Sequence, residues 1–274
     1  MLLNYEILSK RPRIFKKLTG LTLDNFKNIC LKAESSLDRE FRPIGRRPKL
    51  NTHYDRLLLL MIYYRAYVTH EFLGYFVGLD DSNVCRLFKR LEPLIAKHIH
   101  IRKDRTLTEE VVNAILLDVT EQPIQRPKNK SARKRYYSGK KKRHTQKIEI
   151  AVTTSGKIIN ISQTTPGRVH DIKIRQRGSP LPPTAEKYVD LGYQGIQHTD
   201  PLAHLPHKKP KGGKLTAQQK SDNLKHSKIR IAVEHHFSRF KKFRILGEVY
   251  RNFRRKHHMR FNIIAGILNL QAGF

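Results

Sequence analysis

The stretch AILLD at residues 114–118 is a short apolar run that ends on an aspartate. The chain has 55 Lys and Arg against 23 Asp and Glu, so most of its carboxylates are expected to sit among cations, whereas Asp118 follows apolar residues. Two later acids have comparable surroundings: Asp190 in the run VDLGYQG and Glu234 in the run RIAVEHHFSRFK. Two acids at strand ends and a third on a later helix can converge on a divalent metal ion.

The composition limits the class of protein. At 274 residues the chain has room for about two domains, and its formal charge of +32 favours polyanions as partners. An anionic membrane surface is the alternative partner, but no strongly amphipathic basic helix stands out. No apolar run approaches the roughly 20 residues of a membrane span, and the first residues lack a signal-peptide core, so we expect a cytoplasmic, nucleoid-associated protein. Cys30 and Cys85 form neither a disulfide framework nor a Cys-x-x-Cys zinc site.

The first part of the chain has the pattern of helices. A helix is predicted to start near Thr22, and a second, Leu-rich helix to run from 54 to 67. Between them, RPIGRRPK at 42–49 is typical of a linker because Pro and Gly interrupt regular structure. We therefore expect an all-helical domain over residues 1–105 and a second domain over residues 106–274.

The second part has the pattern of an α/β domain. Short runs rich in Ile and Val, separated by turn signals, predict five strands, the last of them weakly: 114–118, 147–154, 157–164, 187–192 and 202–209. A short helix is predicted at 170–177, and helical periodicity extends from 216 to 270. This order predicts a mixed β-sheet flanked by helices.

Two basic runs interrupt the second domain. The first covers 126–147 and is too long and too basic for a plain hairpin turn, and the second covers 207–228. Both can be solvated loops, one of them with a localisation signal. Alternatively, both grip phosphates beside the acids, and Tyr136 and Tyr137 stack on unpaired bases.

The segment at 69–94 has the spacing of a helix-turn-helix. Gly74 allows two helices to cross closely, Gly78 suits the turn, and Asp81 or Ser82 can cap the second helix. The outward-facing residues of that helix are a suitable set for phosphates and base edges: Ser82, Asn83, Arg86, Lys89 and Arg90. A helical hairpin that only packs on its neighbours has the same spacing. The net basicity favours DNA.

The acidic motifs resemble those of the DDE-type transposases of bacterial insertion sequences and their Harbinger-like relatives, over about residues 110–250. Asp190 lies in Asp-Leu-Gly-Tyr, where that family has Asp-x-Gly-Tyr. Glu234 lies between Arg230 and Lys241, as in the family's Arg-x3-Glu-x6-Lys pattern. The sequence PGRVHD at 166–171 is similar to the family's Gly-x-x-His-Asp, whereas Ser227 stands where the family often has Tyr.

The resemblance implies an RNase H-like fold with Asp118 on the first strand, Asp190 after the fourth and Glu234 on a later helix. It also implies a helix-turn-helix that binds terminal inverted repeats, and a homo-oligomer in the active complex. The three acids would then be the catalytic ligands of two Mg²⁺ ions, with Mn²⁺ as a substitute. Phosphodiester cleavage and strand transfer need such ions to activate the nucleophile and to stabilise the leaving oxygen.

Several roles stay open at the level of sequence. Asp171 can cap a helix or join the metal site, and His170 can assist or be an ordinary exposed residue. Arg230 can pair with Glu234 across one helical turn, and Lys241, two turns beyond that acid, can contact phosphate. Two other functions compete: a transposase-derived DNA-binding protein that no longer cuts, and an RNA-binding protein, which has no use for three acids.

Overall fold

The structure is a computed structural model that describes residues 3–42, 48–101 and 114–274. Most of the predicted linker at 42–49 and the predicted domain boundary at 105/106 lie outside these ranges. The chain forms two compact units. The first comprises Met1–His100, Phe240–Glu248 and Met259–Phe274, and the second comprises Ile101–Arg239 and Val249–His258.

Helices and strands are numbered here in chain order. The helices are α1 (Tyr5–Ser9), α2 (Pro12–Thr19), α3 (Leu23–Glu40), α4 (His53–Ala66), α5 (His70–Val77), α6 (Asp81–His98), α7 (Lys130–Tyr136), α8 (Asp171–Arg177), α9 (Ala217–Lys241), α10 (Arg244–Gly247) and α11 (His257–Gln271). The strands are β1 (Ala114–Pro123), β2 (Tyr137–Ser138), β3 (Arg143–Thr153), β4 (Ile158–Ile161), β5 (Thr165–Pro166), β6 (Glu186–Tyr188) and β7 (Ala203–His204). None of the described helices is long and apolar enough to cross a membrane.

The first unit is helical, as the sequence predicts. The hydroxyl of Thr22 accepts a hydrogen bond from the Asn25 amide and caps α3, and that of Thr52 caps α4 in the same way. Helix α4 is buried on all sides from Asp55 to Tyr64, which makes it the central helix of this unit. The predicted helices near Thr22 and at 54–67 are therefore confirmed.

The C-terminal segment corrects the predicted domain organisation. The sequence analysis placed everything after residue 105 in the second domain, but Met259–Phe274 belongs to the first compact unit. Helix α11 buries Phe261, Ile264 and Ile267, and its first residue, His257, bonds Gln122 of β1 at 2.7 Å. Arg260 bonds the buried Glu92 at 2.6 Å, and Gln271 donates to the Gly20 carbonyl at 2.6 Å. Periodicity predicts such a helix but does not indicate which partner it packs on.

The second unit is built on a mixed sheet around β1. Strand β3 pairs antiparallel with β1, and β4 and β5 pair antiparallel with β3. On the other side β6 pairs parallel with β1, and β7 pairs parallel with β6. Counting β1, β3, β4, β6 and β7 as strands one to five, the first Asp lies on strand one and the second follows strand four. The predicted RNase H-like arrangement is confirmed.

The strand boundaries differ from the prediction, and three of the differences bear on the site. Strand β1 continues to Pro123 because it pairs with β3 along its length, so Asp118 lies inside the strand rather than at its end. Strand β6 stops at Tyr188 instead of continuing to residue 192, because Asp190 begins a 3-10 turn. Strand β7 contains only Ala203–His204, and Pro206 follows two residues later.

Candidate active site and DNA-binding helices

Asp118 of β1 and Asp190, which follows β6, occupy equivalent positions relative to the pairing of these two parallel strands. The last pair between β1 and β6 joins Leu116 to Tyr188, and each aspartate lies two residues beyond its member of that pair. Side chains repeat every two residues along a strand, and paired strands lie about 4.8 Å apart. Asp190 is still extended, with φ −92° and ψ 177°, so the register directs both carboxylates to the same side of the sheet, at the end of β6.

The carboxylate of Asp118 is largely buried and only partly compensated. Its Oδ1 lies 3.7 Å from Nη2 of Arg230 on α9 and accepts a hydrogen bond from the Val119 amide at 2.9 Å. Burial raises the pKa of Asp118 to about 6; Arg230 opposes this shift, and the negative charges of Asp190 and Asp171 add to it. A buried acid beside other acids is an arrangement that a cation would relieve.

Gly192 provides the space in which two carboxylates approach each other. Asp190 accepts a hydrogen bond from the Gly192 amide at 2.7 Å, which starts the 3-10 turn after β6. A Cβ at Gly192 would lie 2.5 Å from Oδ2 of Asp171 and 2.9 Å from Oδ1 of Asp190. Position 192 therefore has room only for glycine, because a side chain there would displace the carboxylates of Asp171 and Asp190.

Asp171 reaches this edge from the other side of the sheet. It lies in the first turn of α8, and its Oδ1 accepts from Nζ of Lys147 at 2.9 Å. Lys147 pairs with Glu121 across β1 and β3, three residues along β1 from Asp118. Because side chains alternate along a strand, Lys147 and Asp118 point to opposite faces. Helix α8 therefore contacts one face, and Arg230 of α9 contacts the other.

The first unit contains a tight helix-turn-helix. A Cβ at Gly74 of α5 would lie 2.1 Å from the Leu79 carbonyl oxygen, so only glycine allows this approach of helix and turn. Gly78 ends α5 with a positive φ of 68°, a conformation that favours glycine. The predicted crossing and turn are confirmed. One detail differs: the cap position is Asp80, whose side chain makes no capping hydrogen bond, whereas Asp81 accepts from the Ser82 amide at 2.6 Å as predicted. Helix α6 continues through Pro93 to His98.

Comparison with known proteins agrees with both parts of this architecture. The family model described as DDE superfamily endonuclease matches residues 117–269, and the model described as helix-turn-helix of DDE superfamily endonuclease matches residues 48–100. The chain belongs to the DDE superfamily of endonucleases, among the transposases of insertion sequences. It is 34% identical to a probable transposase for insertion sequence element IS702 from Microchaete diplosiphon, over 94% of each chain. No solved structure matches the chain.

Three further predicted site residues lie on or beside helices α8 and α9. Glu234 lies on α9 with an exposed side chain, and His170 occupies the N-cap position of α8, also exposed. Lys241 is the last residue of α9 and is exposed as well. In the described parts of the chain, no three His, Cys, Asp or Glu side chains form a ready metal-binding group. The metal-ligand roles of the acids therefore remain predictions.

The predicted pairing of Arg230 with Glu234 is not found between these two described residues. Arg230 is instead directed at Asp118, with 19% of its side chain exposed. Its Nε is buried and has no hydrogen-bond partner among the described residues. The sequence indicated that Arg230 belongs near the acids, but the acid it predicted was Glu234 and the one observed is Asp118.

A buried network behind Asp190 was missed by sequence reasoning. The hydroxyl of Tyr193 donates to Oε2 of Glu149 at 3.1 Å, and Arg175 of α8 bonds the other oxygen of Glu149 at 2.7 Å. Burial, followed by the charge of Glu149, raises the pKa of Tyr193, and burial raises that of Glu149. The network fastens the Asp-Leu-Gly-Tyr turn to β3 and α8. The only available signal was Glu149 in the middle of an apolar strand.

The glycine of the PGRVHD motif of this DDE endonuclease serves close packing. The Gly167 amide donates to the Thr145 carbonyl at 2.9 Å, and a Cβ at Gly167 would lie 1.9 Å from Oγ1 of Thr145. Thr145 in turn donates to Glu121 of β1 at 2.5 Å. The motif thus joins the segment before α8 to the central strands of the sheet.

The predicted DNA-contacting residues of α6 are all exposed: Ser82, Asn83, Arg86, Lys89 and Arg90. They differ in how far their side chains are already engaged within the protein. Arg86 donates to the Asn83 side chain at 2.9 Å, within the helix. Arg90 is held by Glu40, with 2.7 Å between Nε and Oε1, and it lies over the ring of Phe41. Arg90 is therefore already engaged within the first unit.

The basic runs contain regular structure. The first run includes α7, β2 and the start of β3, and the helical part of the second is the beginning of α9. Tyr136 is half-buried beneath Arg254, whose guanidinium carbon lies 4.5 Å from the ring centre. Tyr137 is 43% exposed and contacts His144 edge-on. Of the two, Tyr137 has the freer ring face for the predicted stacking on bases.

Proposed function

We propose that this DDE endonuclease is a DNA transposase that binds the terminal inverted repeats of its element and catalyses metal-dependent DNA cleavage and strand transfer. Asp118, Asp190 and Glu234 are its catalytic metal ligands. The observation that carries the proposal is the matching register of Asp118 and Asp190 on two parallel strands. The stability of the sheet does not require two negatively charged carboxylates at neighbouring positions of one edge.

The side chains present suit a hard divalent cation. Carboxylate oxygens are the ligands that Mg²⁺ and Mn²⁺ prefer. The burial and like charges that raise the pKa of Asp118 would be offset by a bound cation. Gly192 leaves open the space beside Asp190 that a Cβ would fill. Bound ions would supply activation of water, then of the freed 3′-hydroxyl, and stabilisation of the leaving oxygen.

The position of Glu234 on helix α9 supports its role as the third ligand. Arg230 of α9 contacts Asp118, and Glu234 follows one helical turn later. Side chains four residues apart on a helix are neighbours, about 5–6 Å between Cβ atoms. Glu234 is therefore within reach of the face on which Asp118 lies, whereas the carboxylate of Asp171, beside Gly192, is already paired with Lys147. This geometry favours Glu234 over Asp171 as the third ligand.

The other residues position DNA. Arg230 holds Asp118 in the free protein and can turn to a phosphate once a cation takes over the carboxylate. Helix α6 enters the major groove with Asn83 and Arg86, and Lys89 contacts the backbone. The formal charge of +32 attracts duplex DNA strongly at low salt. Two ends must be joined in one active complex, so the working form is a homo-oligomer, and the site of action is the nucleoid in the cytoplasm.

A second candidate is a transposase-derived DNA-binding protein that no longer cuts. The exposed position of Glu234, and the lack of a ready metal-binding group among the described residues, favour it. The two candidates differ in one respect only, since both bind DNA and only the first cleaves it.

The experiment that tests the proposal is a cleavage assay on duplex DNA carrying the element's terminal sequence. The protein is incubated with Mg²⁺, with Mn²⁺ or with a chelator, and a duplex with a scrambled end serves as the control. Nicking at the end that requires either metal supports the transposase. Binding without cleavage under all metal conditions supports the retired protein, and a lack of end-specific binding overturns both.

A further inference from the structure

A cationic cavity of about 450 Å³ lies in the first unit beside the start of α6. Five of the residues that line it are cations, contributed by four parts of the chain: Arg42, Lys49, Arg56, Arg86 and Arg90. None of the described residues lining it is acidic. Glu40 compensates Arg90 at 2.7 Å. The other four positive charges around the cavity repel each other unless a further anion is present, so the lining indicates an anionic ligand.

Arg56 is the buried cation of this cavity. Only 4% of the residue is exposed, although it carries a full charge. Its Nη1 bonds Nδ1 of His53 at 2.8 Å, and His53 bonds Asp38 at 2.6 Å through its other nitrogen. No carboxylate forms an ion pair with Arg56 within the described ranges. A buried guanidinium held by a neutral acceptor retains unused donors, and such a group is costly unless it binds an anion.

The surroundings fix Arg56 and its neighbours in place. Its guanidinium lies 4.6 Å from the centre of the Phe41 ring, and that of Arg90 lies 4.7 Å from it. Lys49 donates to the carbonyl of Gly78, the residue that ends α5. Burial, and then the charge of Arg90, lower the pKa of Arg56, and the charge of the adjacent Asp55 offsets only part of this shift. The cavity is thus preorganised for an anion at the turn of the helix-turn-helix.

We propose that this cavity, through Arg56, Lys49 and the neighbouring cations, binds a backbone phosphate of duplex DNA and so sets the register of α6 in the groove. The inference rests on the proposed DNA-binding function. It adds a phosphate-binding site that lies outside the exposed face of α6. Phosphate contacts position a protein on the duplex, whereas base contacts specify sequence. Asn83 and Arg86 line the same cavity, so a phosphate held there places the base-reading residues next to it.

The test is a salt titration of binding to a mixed-sequence duplex, followed by fluorescence anisotropy. We compare the wild type with Arg56→Gln, Lys49→Gln and the control Lys27→Gln, which removes an exposed cation 14 residues before Phe41 on α3, roughly 20 Å away along the helix. Arg56→Gln and Lys49→Gln should each weaken binding about fivefold or more, and lower the slope of log affinity against log salt by about one. Lys27→Gln should change the slope by much less. Thermal melting checks that each variant folds.

The outcomes separate this inference from the function on which it rests. If the wild type binds duplex and both variants keep its slope, the cavity does not hold a backbone phosphate. If Arg56→Gln does not fold, Lys49→Gln alone decides in the same way. If inorganic phosphate raises the melting temperature of the wild type more than chloride at equal ionic strength, while the DNA slopes stay unchanged, the cavity takes free phosphate and the inference is overturned. If the wild type binds no duplex, the proposed function itself fails.

Discussion

Nη2 of Arg230 lies 3.7 Å from Oδ1 of Asp118, and this contact joins the helix of the third acid to the strand of the first. The distance is longer than that of a close charge-assisted hydrogen bond, so Arg230 offsets only part of the cost of burying Asp118. Burial still raises the pKa of Asp118 to about 6. In the metal-free protein this carboxylate is therefore a source of instability, and it is retained at the edge where catalysis is proposed.

The first prediction concerns stability against pH. Because the pKa of Asp118 is higher in the folded than in the unfolded chain, its ionisation destabilises the fold as pH rises towards about 6, and the cost is complete above that pH. Asp118→Asn should therefore raise the free energy of unfolding by roughly 1–3 kcal/mol near pH 7 in the presence of a chelator. The gain should vanish near pH 4. Urea denaturation of both proteins at the two pH values measures it, and a difference that does not depend on pH would contradict the assignment.

The second prediction concerns Gly192. A Cβ at this position collides with the carboxylates of Asp171 and Asp190, so Gly192→Ala should force them apart and raise the Mg²⁺ concentration needed for half-maximal cleavage at least tenfold. The variant should also lose roughly 1–3 kcal/mol of stability through overpacking. Gly139→Ala is the control, since a Cβ at Gly139 meets nothing within 4 Å. Equal Mg²⁺ curves for the two variants would show that this space has no part in metal binding.

The third prediction decides between Glu234 and Asp171 as the third ligand. Glu234→Gln should abolish cleavage and leave binding to end DNA intact, because the amide is a poor ligand of Mg²⁺. Asp171→Asn should lower the rate by a smaller factor, because the carboxylate of Asp171 is already paired with Lys147. Rates are measured over a Mg²⁺ titration. If excess Mg²⁺ restores the Glu234 variant but not the Asp171 variant, the roles are exchanged.

The fourth prediction concerns the helix-turn-helix. Replacing Arg86 and Lys89 with Ala should weaken binding to end DNA by about tenfold or more and reduce its salt dependence, because both side chains are exposed on α6. Arg90→Ala should have a smaller effect, because Glu40 already holds that guanidinium. Gel shifts across a salt series give both quantities. Unchanged affinity and salt dependence in the double variant would show that α5 and α6 form a hairpin that only packs on its neighbours and does not bind DNA.

The sequence predicts the elements of this fold better than their ends. Alternating and helical apolar patterns identify β1, β3 and α4 because those elements bury regular faces. The length of β1 depends on pairing with β3, and the end of β6 depends on the turn at Asp190. Both are decided by partners distant in the chain. The placement of Met259–Phe274 in the first unit likewise depends on tertiary packing, which a local sequence pattern does not predict.

The candidate site, like the fold, could be predicted where a local sequence pattern marks the residue, and not where a distant partner decides its role. Asp118 and Asp190 are recognised because each is an acid among apolar residues, and the sheet register then brings them together. The partners that support them are Lys147, Glu149 and Arg175, which are ordinary charged residues in sequence and acquire meaning only from β3 and α8. The glycine at position 192 could be read as a turn residue, but its steric reason lies in two carboxylates that only the fold brings close.

The most direct test of the central claim is cleavage by Asp190→Asn. The change removes a charge and keeps the shape, so folding should survive, and the Gly192 amide retains an acceptor. Binding to end DNA should persist or strengthen, because one negative charge fewer then faces the phosphates. Mg²⁺-dependent cleavage should fall by several orders of magnitude, since a ligand needed for both nucleophile activation and leaving-group stabilisation is lost. We predict a retained gel shift without cleavage; a variant that binds and cleaves as well as the wild type would contradict the account.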